Sequence, residues 1–448
     1  MLPVDFINSI APQLGRELDA FCGALQEPPV VSIRVNDKVM PEDLAVLASD
    51  AKKEQVPWNP DGYYLSERPQ FTLDPMMHAG CYYVQEPSSM FLDHVLRELV
   101  PDDAVVLDLC AAPGGKSTII SQHLTYGLLV SNEVVRQRVF VLAENVQKWG
   151  NGNVVVTHNK VKDFSERMPN AFDCILVDAP CSGEGMFRKD ERARQEWSLK
   201  NVQMCAARQK QILKEVWGAL KPGGIVIYST CTFNDSENEQ VVRFINNELG
   251  ADVVPIPVKR QWGVQQGLGC RFYPHKLRGE GLYMCVLRKR EHGYQEFRPK
   301  APKRRNEQSP RDLAEVKEWL CNPDQWQYLQ TERFITAFPV EFGELIEYMY
   351  ANFTCISVGF GLSELRGKRQ SPQHSLSMLK DFNAEAFPIV ELGDEQALAY
   401  LRTEALQLSA APVGLVLLTY KDVPLGFAKN VGNHLNNLYP YEWRIRVL

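Results

Sequence analysis

The stretch between residues 104 and 287 constrains this chain more than any other feature. Short apolar runs alternate there with helical patterns, and most runs end on a polar or acidic residue. Ala104-Val105-Val106-Leu107-Asp108-Leu109 stops at a Pro-Gly-Gly turn, and a helix is predicted from about Lys116 to Leu124. Strands follow over residues 128–133, 154–157, 172–178, 225–230 and 281–287, with helices over 136–149 and 237–248. The last of the central strands follows a second turn, Pro222-Gly223-Gly224. Such alternation predicts an α/β fold, a doubly wound and mostly parallel sheet with helices on both faces. Ligands of these sheets bind beyond the carboxyl ends of the strands, so the residues at those ends are the candidates.

Composition narrows the class. The 448 residues are 45% hydrophobic and 23% charged, which excludes global disorder, and no apolar run is long enough to span a bilayer. The N-terminal residues carry no secretory pattern. The eleven cysteines are scattered, with no Cys-x-x-Cys pair, which points to a reducing cytosol rather than a disulfide framework or a zinc ribbon. Net charge is −6, yet residues 288–311 hold nine Lys and Arg against three Glu. Residues 259–278 and 366–380 carry five and four basic residues and no acid. Three basic stretches on an acidic chain form a localised footprint for a polyanion, and the Pro-rich first one reads as a linker. Residues 311–375 show helix-like periodicity at Trp319, Leu320 and Trp326, and short strands begin near Pro388.

Cys110-Ala111-Ala112-Pro113-Gly114-Gly115-Lys116-Ser117 fits two readings. Its Gly-Lys-Ser end matches a phosphate-cradling loop, but Cys110 stands where that motif needs its first glycine. Glu133 ends the next strand, where an acid suits a ribose diol, so a loop for an adenosyl methyl donor is favoured. Cys181 and Cys231 each lie in a polar turn just after a strand, where thiolate chemistry is accessible. The cysteines at 22, 81, 174, 205, 270, 285, 321 and 355 read as small buried hydrophobes. Two thiols without a His pair make a poor metal site, so no metal is required.

Asp108-Leu109-Cys110-Ala111-Ala112-Pro113-Gly114-Gly115-Lys116, Asp178-Ala179-Pro180-Cys181-Ser182-Gly183 and Ser229-Thr230-Cys231 together resemble the signature set of the Nop/Sun family of RNA cytosine-5 methyltransferases. Ser32-Ile33-Arg34-Val35-Asn36 and Gly80-Cys81-Tyr82-Tyr83-Val84-Gln85-Glu86-Pro87 resemble that family's N-terminal region. Arg271-Phe272-Tyr273-Pro274-His275 and the ending Tyr439-Pro440-Tyr441-Glu442-Trp443-Arg444 resemble one bacterial branch. The resemblance implies a Rossmann-like S-adenosylmethionine-dependent core, an N-terminal α+β domain, and C-terminal RNA-binding domains that include a PUA-like barrel. It divides the chain at 1–100, 101–290, a basic linker 291–310, an intermediate domain 311–375 and the PUA-like domain 376–448.

The same resemblance assigns roles. Cys231 is the nucleophile, Asp178 the acid at the base, Lys116 the nearby cation and Cys181 the group for product release. S-adenosylmethionine is expected against Cys110, Ala111, Ala112, Pro113, Gly114, Gly115, Lys116, Glu133, Arg138 and Asp178, with Asn159 or Asp163 meeting its adenine. The expected partner is ribosomal RNA of the small subunit, free or assembled, met by a cytosolic monomer that needs no membrane. Residues 271–276 interleave basic and aromatic side chains, which predicts RNA contact. A DNA cytosine-5 methyltransferase would place its nucleophile in the Pro180-Cys181 turn and has no counterpart of Cys231. A P-loop NTPase and a non-catalytic RNA-binding scaffold are the remaining alternatives.

Overall fold

A computed structural model of the 448-residue chain describes residues 2–48, 54–300, 311–331, 333–366, 369–406, 411–432 and 434–446. Its centre is a ten-stranded sheet. In chain order the elements that build the site are β1 (Val105–Asp108), α1 (Gly115–His123), β2 (Leu128–Asn132), α2 (Arg136–Trp149), β3 (Val154–Thr157), β4 (Phe172–Asp178), α3 (Leu199–Val216), β5 (Leu220–Thr230), α4 (Glu239–Glu248), β6 (Ala251–Val254), β7 (Gln265–Gln266), β8 (Cys270–Phe272), β9 (Leu282–Lys289) and β10 (Cys355–Val358). The strands run in the order β7-β8-β9-β5-β4-β1-β2-β3-β10, with β6 paired to β9. The five central ones are parallel, and the order turns back at β1, the start of the doubly wound pattern.

Side-chain alternation explains why both faces are covered. Val106, Leu129, Val156, Leu176 and Ile227 pack on one face, and Leu107, Val130, Val155, Ile175 and Val226 on the other. Helix α2 buries Val139, Leu142, Ala143, Val146 and Trp149, a helical stripe, and stops at Gly150, which has a φ of 94° and donates its N–H to Val146 O. The Pro222-Gly223-Gly224 turn does not precede β5 but lies inside it. Phe172 pairs with Leu220 and Cys174 with Ile225, so the turn is a bulge that the ladder steps around.

The N-terminal residues form a three-stranded sheet, Gly62–Leu65, Val31–Val35 and Tyr82–Val84 in spatial order. It is fixed to the core by Arg34, which is 1% exposed. The Arg34 guanidinium donates to Gln85 Oε1 and Gln122 Oε1, each at 2.9 Å, and to Thr118 Oγ1, and its carbon lies 4.0 Å above the Trp149 ring. Burial lowers the Arg34 pKa to about 10. Helices Val4–Leu14 and Leu18–Ala24 bury Phe6 and Phe21 against Phe187, Trp197, Phe233 and Tyr273.

Two stretches fold differently from what their sequence pattern predicts. The basic–aromatic alternation of residues 271–276 predicts an RNA-contacting stripe, but Arg271, Phe272 and Tyr273 are buried. Arg271 Nε donates to Glu239 at 2.9 Å, Lys276 pairs with Glu17 at 2.7 Å, and Arg278 pairs with Glu54. The stretch locks the N-terminal helices onto the core, and carboxylates consume its charge. The helical periodicity of 311–375 also misleads. Helices span Arg311–Glu318 and Gly343–Asn352, but neither includes the three periodic positions, and Trp326 opens the first of four strands: Trp326–Gln330, Phe334–Pro339, Phe360–Arg366 and Arg369–Pro372. Trp319, Leu320 and Trp326 share one core because a sheet packs them together, not a helix face. This segment also sends β10 out to the central sheet, antiparallel to β3. Residues 301–310 of the basic linker and the side chains of residues 366–369 lie outside the described set. At the C-terminus Ile389–Glu391, Gly414–Tyr420, Val423–Asn430 and Leu435–Asn437 form a small sheet backed by helix Asp394–Leu401. Among the described residues no helix is long and apolar enough to cross a membrane.

Replacing Arg34 by Ala leaves three acceptors unmet and a cavity beside Trp149. The expected cost is about 2–4 kcal/mol, read as a lower denaturant midpoint for the whole chain.

Candidate active site

Parallel register brings the strand ends together. Asp108 pairs in register with Ser131 and Leu176, Asn132 with Thr157, and Asp178 with Ser229. The loop after β1 turns at Gly114, whose φ of 116° favours glycine and whose absent side chain leaves room for Leu142 and Asn145 of α2. Lys116, in the first turn of α1, donates from Nζ to Asp178 Oδ2 at 2.7 Å, and Ser229 Oγ donates to the other carboxylate oxygen at 2.7 Å. Burial works against the Lys116 ammonium, but the charge and hydrogen bond of Asp178 outweigh it and raise its pKa above the ordinary lysine value.

Cys181 and Cys231 come from turns 50 residues apart in sequence, yet their sulfurs lie 3.2 Å apart. Gly185 N–H donates to Cys231 O at 2.7 Å, and a Cβ on Gly185 would sit 2.7 Å from that oxygen, so only glycine lets the two turns meet. The hydrogen bond with Cys231, then burial, pushes the Cys181 thiol well above its usual pKa.

Two carboxylates overlooked in the sequence hold these turns. Glu184 Oε2 accepts from the Phe233 and Asn234 amides at 2.7 and 3.1 Å, and Oε1 from Trp197 Nε1 and Asn234 Nδ2 at 3.1 and 2.9 Å. Glu237 Oε2 accepts from the Ser182 amide and Gln209 Nε2 at 2.9 and 2.8 Å, and Oε1 from Asn234 Nδ2 at 2.8 Å. Glu237 reads from sequence as the first residue of a helix, but α4 begins at Glu239 and Glu237 turns inward. The available signal was an acid within three residues of Cys181 and another within six of Cys231.

A cavity of about 210 Å³ is lined by Asp108, Cys110, Ala111, Ala112, Pro113, Gly115, Lys116 and Asp178, and by residues 83–86 and Ser89 of the N-terminal region. Gly115 lets that wall close in, since a Cβ there would meet Tyr83 and Gln85 at 3.2 Å. Burial raises the Cys110 thiol, which keeps it protonated. Asp108 is fully buried; Ser117 Oγ donates to its Oδ2 at 2.7 Å, while its Oδ1 has no partner. Burial raises the Asp108 carboxyl pKa to about 7. An orphaned carboxylate oxygen beside a glycine-lined cavity fits a ligand that brings its own donors, such as an amino acid's ammonium.

Glu133 is buried at the end of β2, accepts from the Val135 amide at 2.9 Å, and lies 3.4 Å from the Arg138 guanidinium. Arg138 also donates to Ala112 O at 2.5 Å, bracing the loop. Asn159 differs from its expected role. Its Oδ1 accepts from the Thr354 amide at 3.0 Å and its Nδ2 donates to Thr354 O at 3.2 Å, so the segment leading into β10 takes up its carboxamide. Asp163 accepts from the Lys160 amide at 3.0 Å and caps its own helix. Among the described residues no group of three or more His, Cys, Asp or Glu is placed to hold a metal.

The chain matches three family models: 16S rRNA methyltransferase RsmB/F over residues 95–288, the N-terminal domain of 16S rRNA methyltransferase RsmF over 2–87, and the methyltransferase RsmF PUA domain over 387–445. It is 31% identical to ribosomal RNA small subunit methyltransferase F of Enterobacter sp. (strain 638), over 98% of this chain and 95% of that one. It is 32% identical to the protein of the same name from Shewanella oneidensis, over 97% and 96%. Among solved structures, a methyltransferase homolog protein from Pyrococcus horikoshii covers 64% of this chain and all of its own, with 26% identity and a TM-score of 0.52. NSun6 from Pyrococcus horikoshii, solved with SFG, shares the fold at 22% identity, covering 65% of this chain and 99% of its own with a TM-score of 0.56.

Asp108 gives a pH test. Its folded pKa of about 7 lies above its ordinary 3.8, so the native state holds the proton that the unfolded chain releases. Stability should therefore fall as pH rises from about 4 to about 7 and level off above that. Asp108→Asn should flatten this slope and stabilise the free protein at neutral pH by up to about 4 kcal/mol, measured by urea unfolding across pH.

Proposed function

The chain belongs to the ribosomal RNA small subunit methyltransferase F family, and on that premise we propose that it methylates carbon-5 of cytosine in ribosomal RNA, with S-adenosylmethionine as donor. The observation that carries the cytosine chemistry is the pair of sulfurs 3.2 Å apart in the turns after β4 and β5, beside the pair formed by Lys116 of α1 and Asp178 at the end of β4. Carbon-5 of cytosine is a weak nucleophile, and a thiolate added at carbon-6 turns the ring into an enamine that reacts at carbon-5. Cys231 is the attacking sulfur. Its electron pair forms the carbon-6 bond, the ring's pair moves toward nitrogen-3, and Asp178 with Lys116 delivers the proton or hydrogen bond that position then needs. The Lys116 charge also favours the thiolate. Once carbon-5 is substituted, water takes its proton, the C–H pair re-forms the carbon-5–carbon-6 double bond, the carbon-6–sulfur pair returns to Cys231, and any proton given to nitrogen-3 returns to Asp178. Cys181, in contact with that sulfur, assists the release.

When bound, S-adenosylmethionine supplies an electrophilic methyl on a sulfonium. Asp108, the loop from Cys110 to Gly115, Glu133 and Arg138 are the residues suited to hold it, and the orphaned oxygen of Asp108 favours its ammonium end. The phosphate-loop alternative fits less well, because the Lys116 ammonium that would meet phosphates is bonded to Asp178. A flipped, unpaired cytosine is the form of the base that can reach Cys231.

Incubation of Cys181→Ala with donor and ribosomal RNA should accumulate a denaturant-resistant protein–RNA adduct on a gel. The adduct should vanish in the Cys181→Ala/Cys231→Ala double variant. Cys231→Ala alone should lose methylation by at least about a thousandfold, the scale of losing a covalent nucleophile. Undiminished methylation by that variant, with no adduct from the first, would overturn the reading.

A further inference from the structure

A much larger cavity, of about 1220 Å³, lies where three parts of the chain meet. Helix α2 contributes Gln147, residues 370–375 of the intermediate segment form one wall, and Lys429, Asn436 and Trp443 of the C-terminal unit form another. Lys116, Asp178, Cys181 and Cys231 do not border it, so its occupant is not the reacting base. Residues 370–375 belong to the acid-free basic stretch 366–380, for which the active site has no use. Three buried nitrogens of that wall have no partner: Gln370 Nε2 and both ring nitrogens of His374. Burial, and then Lys148, lower the His374 pKa to about 3, so its neutral ring offers one donor and one acceptor. Buried polar groups left unmet are costly, and several in one wall mark a place where a ligand supplies the partners. Among the described residues no carboxylate pairs with Lys429, and the acid in the walls, Glu364, is bonded to Arg333 at 2.9 Å. The cavity therefore carries an uncancelled positive charge.

We propose that this cavity binds an unpaired nucleotide of the RNA strand that carries the target cytosine, as a second point of base recognition. The inference rests on RNA being the substrate, as proposed above. The amides of Gln147, Gln370 and Asn436 match the edges of an unstacked base, Trp443 offers aromatic surface, and Lys429 meets the phosphate. The volume exceeds the roughly 300–1,000 Å³ usual for small-molecule sites, which suits a piece of strand rather than a free metabolite. Helix α2 connects the two places. Arg138 lies beside Glu133 at the sheet edge, and Gln147 stands about 14 Å further along the helix axis. A cavity of about 230 Å³ shares Tyr83 and Val84 with the glycine-loop cavity and reaches Lys148. The Lys148 ammonium in turn lies 5.1 Å from the centroid of the Trp443 ring. A strand leaving the flipped cytosine along α2 thus arrives at the unmet nitrogens. Recognition at two points selects one cytosine among many of the same kind.

The test binds the full-length protein to small-subunit ribosomal RNA carrying 4-thiouridine, free and assembled, and maps photo-crosslinked peptides by mass spectrometry. Crosslinks should fall on peptides that contain residues 370–375 or Trp443. Lys429→Ala, at an exposed position, should weaken RNA binding and lower the slope of log affinity against log salt by about one. That is the mark of one lost phosphate contact, and Lys429→Arg should keep the slope. Gln370→Ala should raise the KM for RNA about tenfold and leave kcat within about twofold. Calorimetry without RNA should show S-adenosylmethionine binding unchanged in both variants. Absence of crosslinks from those peptides would overturn the proposal, even if Gln370→Ala fails to fold. So would an unchanged salt slope in Lys429→Ala, or an unchanged KM in a folded Gln370→Ala. Missing crosslinks, with Lys429→Ala weakening binding to the assembled subunit alone, would give the cavity to a ribosomal protein instead. Methylation by the unsubstituted protein with an unchanged slope in Lys429→Ala removes the cavity's role alone. Crosslinks without any methylated cytosine remove the reaction proposed above and leave the cavity.

Discussion

Parallel pairing of β1, β2, β3, β4 and β5 is the constraint on which everything else depends. Hydrogen bonds fix the register between neighbours, so the last residue of each strand has a set height at one edge of the sheet. Asp108, Asn132, Thr157, Asp178 and Ser229 stand at that edge as a consequence of backbone pairing, before any of their side chains interacts. The glycine loop, Glu133 and both cysteines follow within a few residues of those ends. A slip of one residue in β4 or β5 would turn Asp178 or Ser229 into the opposite apolar layer. The apolar alternation that covers both faces is thus also what aligns the chemistry.

Polar groups gathered this way must be satisfied, and the chain satisfies them unevenly. Around the cysteine turns both oxygens of Glu184 and both oxygens of Glu237 have donors, which makes a rigid floor. At Asp108 one oxygen is left without a partner, at the head of a cavity. Rigid where bonds must form and break, unsatisfied where a ligand must enter, the site divides its polar groups by task.

Much of this was legible in the residues. The core strands and helices α1, α2 and α4 follow the apolar period closely, because each strand is buried on both faces and each helix on one, whereas α3 (Leu199–Val216) has no counterpart in the sequence reading. Asp178, Lys116 and the two cysteines stand at turns where short polar motifs interrupt apolar runs, and those interruptions are visible in sequence. What could not be read depends on partners far away along the chain. Arg271 looked like an exposed base because its neutralising partner, Glu239, lies on another element. Trp319 and Trp326 imitate a helical period although one follows a helix and the other begins a strand. Asn159 has the right position for a ligand and the wrong neighbour, since Thr354 occupies its carboxamide. No local pattern announces a contact made across 195 residues.

That long reach also bears on how the molecule is made. Until β10 arrives, β3 is an edge strand of a hydrophobic parallel sheet, with its outer row of N–H and C=O groups open to any other extended chain. A ribosome delivers Thr354 only after 195 further residues have followed Asn159, at about 5–20 residues per second. The nascent core therefore spends on the order of ten seconds or more with one flank unsealed. The segment that seals it belongs to the C-terminal half of the chain, so a core cut off before residue 355 would keep that flank open for its whole lifetime.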